Sequence, residues 1–222
     1  MRHALIVSPQ AGWVAASGLA DALSWLSLAA HEVAGLPVTP RGGANYAVAI
    51  AVRAPSQAAP DAAAWARAGL AGAITLTLGI GDDLRQPVAE GAVARALALA
   101  GFRLPLPGEC DAIAAHVGGL AGGHAAVTAE LVASLLATNR ADVHGFQRAC
   151  AAGRWTDARR SAHRIRGTAL MAGTASLARL GQRIEILAGQ GQGDTVRALA
   201  LLYVPAAHQL SDALAALLGR AA

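Results

Sequence analysis

Ser161-Ala162-His163-Arg164-Ile165-Arg166-Gly167-Thr168-Ala169 is the stretch on which the fold of this chain turns. Small apolar residues recur at Ala158, Ala162, Ile165, Ala169 and Ala172, in steps of four, three, four and three. That is the core stripe of an amphipathic helix, and it predicts a helix over residues 156–172. His163 is one residue off the stripe, so it stands about 100° round the helix from it. It shares a neighbouring stripe with Arg159, Arg166 and Leu170. Gly167 is the anomaly. A glycine inside a helix costs about 1 kcal/mol relative to alanine, so a glycine one turn after the histidine points to space kept for something that approaches the ring.

The helical signal continues on both sides. Helices are predicted over residues 128–138, 141–151, 174–188 and 194–218 as well. Leu177, Leu180, Ile184 and Leu187 repeat the core spacing, and Pro205 should kink or loosen one turn of the last helix. Helices of this length with short connections imply an all-α antiparallel bundle.

The first hundred residues alternate instead. Strands are predicted at 4–8, 47–52 and 73–78, and helices at 12–30, 60–69 and 88–100. Pro60 and Asp61 stand where the second of these helices should start. Short apolar strands alternating with helices imply an α/β domain with a parallel sheet and flanking helices. The prolines and glycine of Phe102-Arg103-Leu104-Pro105-Leu106-Pro107-Gly108 read as an interdomain connection, and the Gly-rich stretch 118–124 as a loop. The predicted organisation is therefore residues 1–102, a linker at 103–125 and a bundle at 126–222.

At 222 residues the chain can hold two small domains. It is 55% apolar but only 4% aromatic, so its core should rest on Ala and Leu helix contacts. There is no lysine; arginine carries every fixed positive charge, and the formal net charge is +4. That favours acidic partners, but no aromatic-interleaved basic stripe or nucleic-acid module is present, and nucleic acid is not expected as the ligand. Cys110 and Cys150 make neither a disulfide framework nor a zinc signature. Met1-Arg2-His3 leads straight into Ala4-Leu5-Ile6-Val7, too short for a secretion signal, and no apolar run is expected to span a membrane. The expected address is the cytoplasm, or the cytoplasmic portion of a membrane protein.

With these residues in place a resemblance can be stated. Residues 153–167, from Gly153-Arg154-Trp155-Thr156 to Ala162-His163-Arg164-Ile165-Arg166-Gly167, resemble the central helix of histidine-containing phosphotransfer (HPt) domains. The family pattern is Ala-His, a Lys or Arg three residues later and then Gly, followed by a Gly-Ala/Thr turn, a Leu and a Leu-Glu or Ile-Glu pair. Gly173-Thr174, Leu177 and Ile184-Glu185 supply the second part, and Arg166 stands where lysine is commoner. The resemblance covers about residues 128–218.

The resemblance implies a phosphocarrier of two-component phosphorelays rather than a self-sufficient kinase. His163 would be the phosphoacceptor, Arg166 would stabilise the phosphoryl group, and Gly167 would give a partner access. Arg159, Arg160, Arg164 and Leu170 would form the partner-binding surface. Neutral imidazole, with an ordinary pKa near 6.5, is a usable nucleophile at cellular pH. The implied partners are receiver domains of response regulators or hybrid kinases, which would bring the acidic pocket and Mg²⁺; this chain would bind no cofactor or metal itself. Dimerisation like that of sensor-kinase histidine helices is a further possibility, although no ATP-site motif is present. The competing reading is an adaptor that is never phosphorylated, and exposure of the His163 ring separates the two.

The strand and helix order of residues 1–102 is similar to the receiver fold of response regulators. Receivers carry acids after the first strand, a phosphoacceptor Asp ending the third, Thr or Ser after the fourth and Lys-Pro after the fifth. Here Ser8 and Pro9 follow the first strand, Ala51 takes the phosphoacceptor place, Thr77 matches the threonine and Gln86 replaces the lysine. That implies a degenerate receiver with neither a Mg²⁺ site nor an aspartyl nucleophile; some other small α/β domain is the competing reading. His3, His31, His116, His124, His144 and His208 show no paired ligand spacing and are expected to be scattered.

Overall fold

The computed structural model describes residues 2–36, 46–53, 58–79, 88–105 and 107–221. The chain divides into two compact units, Met1–Phe102 and Arg103–Ala222.

The first unit runs β1 (Arg2–Val7), α1 (Trp13–Ser17), α2 (Leu19–Trp25), β2 (Leu28–Val33), β3 (Tyr46–Arg53), α3 (Ala62–Arg67), β4 (Ile74–Gly79) and α4 (Glu90–Leu99). The strands form one parallel sheet in the order β2-β1-β3-β4. One face is closed by Leu5, Ala49 and Ala51 packing with Trp65, Ala68 and Leu70 around α3. Asp61 starts α3 as the sequence predicts, its carboxylate accepting from the Ala64 amide at 2.6 Å.

Residues 12–30 are not one helix. Gly18, with φ of 76°, ends α1 and starts α2, and Ser27 at φ 59° turns the chain into a fourth strand. Residues 28–33 have weak strand character, but β1 pairs with them from Arg2↔Leu28 to Val7↔Val33 and Leu28 is fully buried. Tertiary pairing here overrides the helical preference of an Ala-rich segment.

The second unit is helical: α5 (Pro107–Leu120), α6 (Ala125–Ala151), α7 (Trp155–Met171), α8 (Ala175–Gly189) and α9 (Gly193–Ala221). α6 packs on α7 and α9, and α8 packs on the same two helices, so the four enclose one core. Stretch 103–125, expected as a linker, instead contains α5, which packs against α6, α7 and α9. Pro107 opens that helix, a position where proline is as welcome as in a loop. Glu109 then reaches α8, where its carboxylate accepts from the Ser176 amide at 2.8 Å and from the Ser176 hydroxyl.

The helices expected at 128–138 and 141–151 are one, α6. Asn139 sits at the join of the two expected segments. It is buried and donates to the Ala207 carbonyl at 2.8 Å and to Ser211 Oγ at 2.9 Å on α9. Contrary to expectation, α9 is long and apolar enough, by length and composition, to cross a membrane. Its Val196, Leu199, Tyr203, Ala206, Leu210 and Leu214 are all buried in the core, while Leu201 is half exposed.

Candidate functional site

α7 carries the site because its neighbours hold it closely. Ala158, Ala162, Ile165 and Ala169 have no exposed surface. Gly145 on α6 lets Ser161 approach, since a Cβ there would lie 3.2 Å from Ser161 Oγ. Gly181 on α8 does the same for Arg166 and Tyr203. Tyr203 is buried edge-on to Phe146, with ring centroids 5.3 Å apart, and its hydroxyl donates to the Ala162 carbonyl at 3.2 Å. Burial pushes the Tyr203 phenol well above its usual range, so it stays neutral and donates at any physiological pH. The residue just before His163 is thus pinned from inside the bundle.

The His163 side chain is 63% exposed, beside the core stripe as its phase predicts. Its Nδ1 lies 3.0 Å from Oε2 of Glu185 on α8, a carboxylate only 14% exposed. A carboxylate can only accept, so this bond assigns the proton of the neutral ring to Nδ1 and leaves the Nε2 lone pair outward. The other oxygen of Glu185 lies 3.1 Å from Nε of Arg166. That contact is too poorly aligned to count as a hydrogen bond and is an ion pair only. His163, Glu185 and Arg166 therefore form one linked group across α7 and α8.

The arginines expected on the partner surface divide. Arg164 turns to α6, its Nε 2.6 Å from Oδ1 of the buried Asp142. Arg160 lies 3.5 Å from Asp157. Arg159 is exposed, and among the described residues no carboxylate pairs with it. Arg166, expected to face a phosphoryl group, is 28% exposed and engaged with Glu185. Leu170 and its neighbour Met171 are 57% and 43% exposed. Gly167 is exposed, and a Cβ added there would have nothing within 4 Å. A shallow depression beside the histidine is lined by Thr156, Arg159, Arg160, His163 and Glu185.

Glu185 stands in the sequence pattern, but local sequence gave it no role. The pairing of residues 22 positions apart appears only when α8 folds onto α7. Met171 and Tyr203 were likewise unassigned; nothing local marks either.

In the first unit Ser8 is buried and donates to the Gln10 carbonyl at 2.9 Å, with Pro9 exposed in the turn after β1. Ala51 pairs with Val7 and Thr77 and lies inside the core under α3. Thr77 is exposed on β4. Gln86 lies outside the described residues. His3 and His31 are not scattered: His3 Nδ1 and His31 Nε2 are 3.2 Å apart, beside Tyr46. Among the described residues no group of three or more His, Cys, Asp or Glu could hold a metal ion.

No curated protein and no solved structure matches the chain. The family model of the Hpt domain matches residues 130–220, which span α7, α8 and most of α6 and α9.

Proposed function

We propose that the chain is a phosphorelay intermediate that carries a phosphoryl group on Nε2 of His163 between the aspartates of partner receivers. The observation that carries the reading is the exposed imidazole whose Nδ1 is held by the largely buried Glu185. In the step, the Nε2 lone pair attacks the phosphorus of an aspartyl phosphate. The N–P bond forms, the P–O bond to the aspartyl oxygen breaks, and the carboxylate leaves with the electron pair. The phosphorylated ring keeps its Nδ1 proton and gains positive charge, which the Glu185 carboxylate offsets. Transfer onward reverses these bonds. Such reactions need positioning and charge neutralisation more than proton transfer, and Mg²⁺ would be the receiver's contribution. Arg166 orients Glu185, while Gly167, Leu170 and Met171 leave an open, partly apolar surface for the partner.

The three-residue turns between α6 and α7 and between α7 and α8 favour an antiparallel bundle. For residues 1–102 the order β2-β1-β3-β4 among the described residues supports the receiver-like reading, since it matches the first four places of the flavodoxin-like order. With Ser8 and Ala51 where carboxylates would be needed, the role of this unit is docking or shielding rather than phosphate chemistry. A cytoplasmic address follows from this reading.

Incubation with phosphorylated receivers, followed by mapping of acid-labile phosphate, tests the proposal. His163→Gln should abolish labelling; equal labelling of that variant overturns it. The adaptor reading is less favoured because the ring is open to solvent.

A further inference from the structure

We infer that Arg159 is the guanidinium that grips the phosphoryl group on His163, which rests on His163 being the phosphoacceptor. The first argument is direction. In a helix every Cα–Cβ bond tilts toward the N-terminus. The His163 ring therefore leans over the turn that carries Arg159 and Arg160, while Arg159 by the same tilt starts out toward the N-terminus, against the end of α8, and has to reach back to the ring. The depression beside the ring is lined accordingly by Thr156, Arg159, Arg160, His163 and Glu185, without Arg166.

The second argument is charge. Around the ring Arg166 is paired with Glu185 and Arg164 with Asp142, while Arg160 shares Asp157, at 3.5 Å, with Arg154, at 3.1 Å. Arg159 has no carboxylate partner among the described residues. A phosphoryl group on Nε2 brings close to two negative charges, and Arg159 is the guanidinium able to meet them without breaking an ion pair. Its planar fork suits two phosphoryl oxygens at once.

The third argument is space. The Arg159 side chain lies along Gly189, the last residue of α8; its Nη1 would be 3.5 Å from a Cβ there, with Cζ and Cδ behind. A Cβ there would make only ordinary van der Waals contact, so nothing at the end of α8 clamps the guanidinium away from the ring.

Phosphoramidate is a suitable probe because it needs no receiver. Its P–N bond breaks, ammonia leaves, and the N–P bond to the imidazole forms. Labelling of the full chain should be followed by intact mass, and the lifetime of the phosphohistidine by ³¹P NMR. Arg159→Ala should slow labelling by about tenfold or more, the scale of a lost charge-assisted bond, with the melting temperature unchanged. Arg159→Lys should recover part of the rate. Arg160→Ala should lose less than Arg159→Ala, and Arg140→Ala, exposed on α6, should cost less than about threefold, the scale of an exposed charge. If Arg159→Ala labels like the parent, or if Arg160→Ala loses as much, Arg159 is not the grip, although the carrier reading stands. If His163 of the parent takes no label from either phosphoramidate or phosphorylated receivers, the carrier reading fails, and the role of Arg159 with it.

Discussion

His163 Nδ1 and Glu185 Oε2 are 3.0 Å apart, joining the middle of α7 to α8 at the one edge of the core stripe where a ring can be both held and exposed. The bond fixes the tautomer and the ring plane, so Nε2 faces solvent as a lone pair. Its second oxygen, against Arg166, keeps the carboxylate from rotating away.

Removing that acceptor should slow the chemistry without unfolding the helices. Glu185→Ala loses a bond worth about 1 kcal/mol, so phosphoramidate labelling of His163 should fall about fivefold. Glu185→Gln keeps an acceptor oxygen and should fall in between. Labelling rates measured beside far-UV circular dichroism check this; an unchanged rate in Glu185→Ala removes Glu185 from the mechanism.

Two glycines should respond to alanine with opposite signs. At Gly167 a methyl group meets nothing, so Gly167→Ala should raise stability by up to about 1 kcal/mol. Labelling by phosphoramidate should persist while labelling by a phosphorylated receiver drops, because the methyl stands where the partner lands. At Gly193 a Cβ would fall on the Trp155 indole, which Arg197 also covers at 4.8 Å. Gly193→Ala should cost about 1–3 kcal/mol, the usual range for overpacking. Paired thermal melts read both signs.

Glu109 should prove to anchor α5. Its carboxylate serves the first turn of α8, where the preceding Thr174 makes no side-chain cap. Glu109→Ala should cost about 1 kcal/mol, as lost caps do. Amide exchange should quicken in α5 and at Ser176 while α6 and α7 remain protected; uniform protection would contradict the anchor.

Cys150 should be nearly inert at neutral pH. Burial pushes its thiol from 9.0 up to about 11, with Arg197 opposing weakly. Thiolate is the reactive form, so alkylation of the folded chain should be slow at pH 8 and accelerate as pH rises toward 11. The fold holds the protonated thiol, so this contribution to stability is intact below pH 9 and is lost between about 9 and 11. Peptide mapping after iodoacetamide treatment at stepped pH tests the order, with the half-exposed Cys110 reacting first.

The sequence by itself determined the helical unit and its reactive edge. The stripe Ala158, Ala162, Ile165, Ala169 fixes which face of α7 is buried, and helix phase alone then puts His163 beside that face with Gly167 a turn beyond. Three of the four strands among the described residues were legible as short apolar runs. β2 was not, because Ala29 and Ala30 carry little strand preference and only pairing with β1 makes them one; the meeting of His3 and His31 follows from that pairing. α5 hid behind prolines that start helices as readily as they interrupt chains. What only the tertiary structure decided is which charges are free. Arg159, Arg160, Arg164 and Arg166 look alike on the helix, but Asp142, Asp157 and Glu185 engage three of them. Two of those carboxylates arrive from α6 and α8, and Coulomb attraction at about 3 Å depends on where helices pack, which no spacing within α7 encodes.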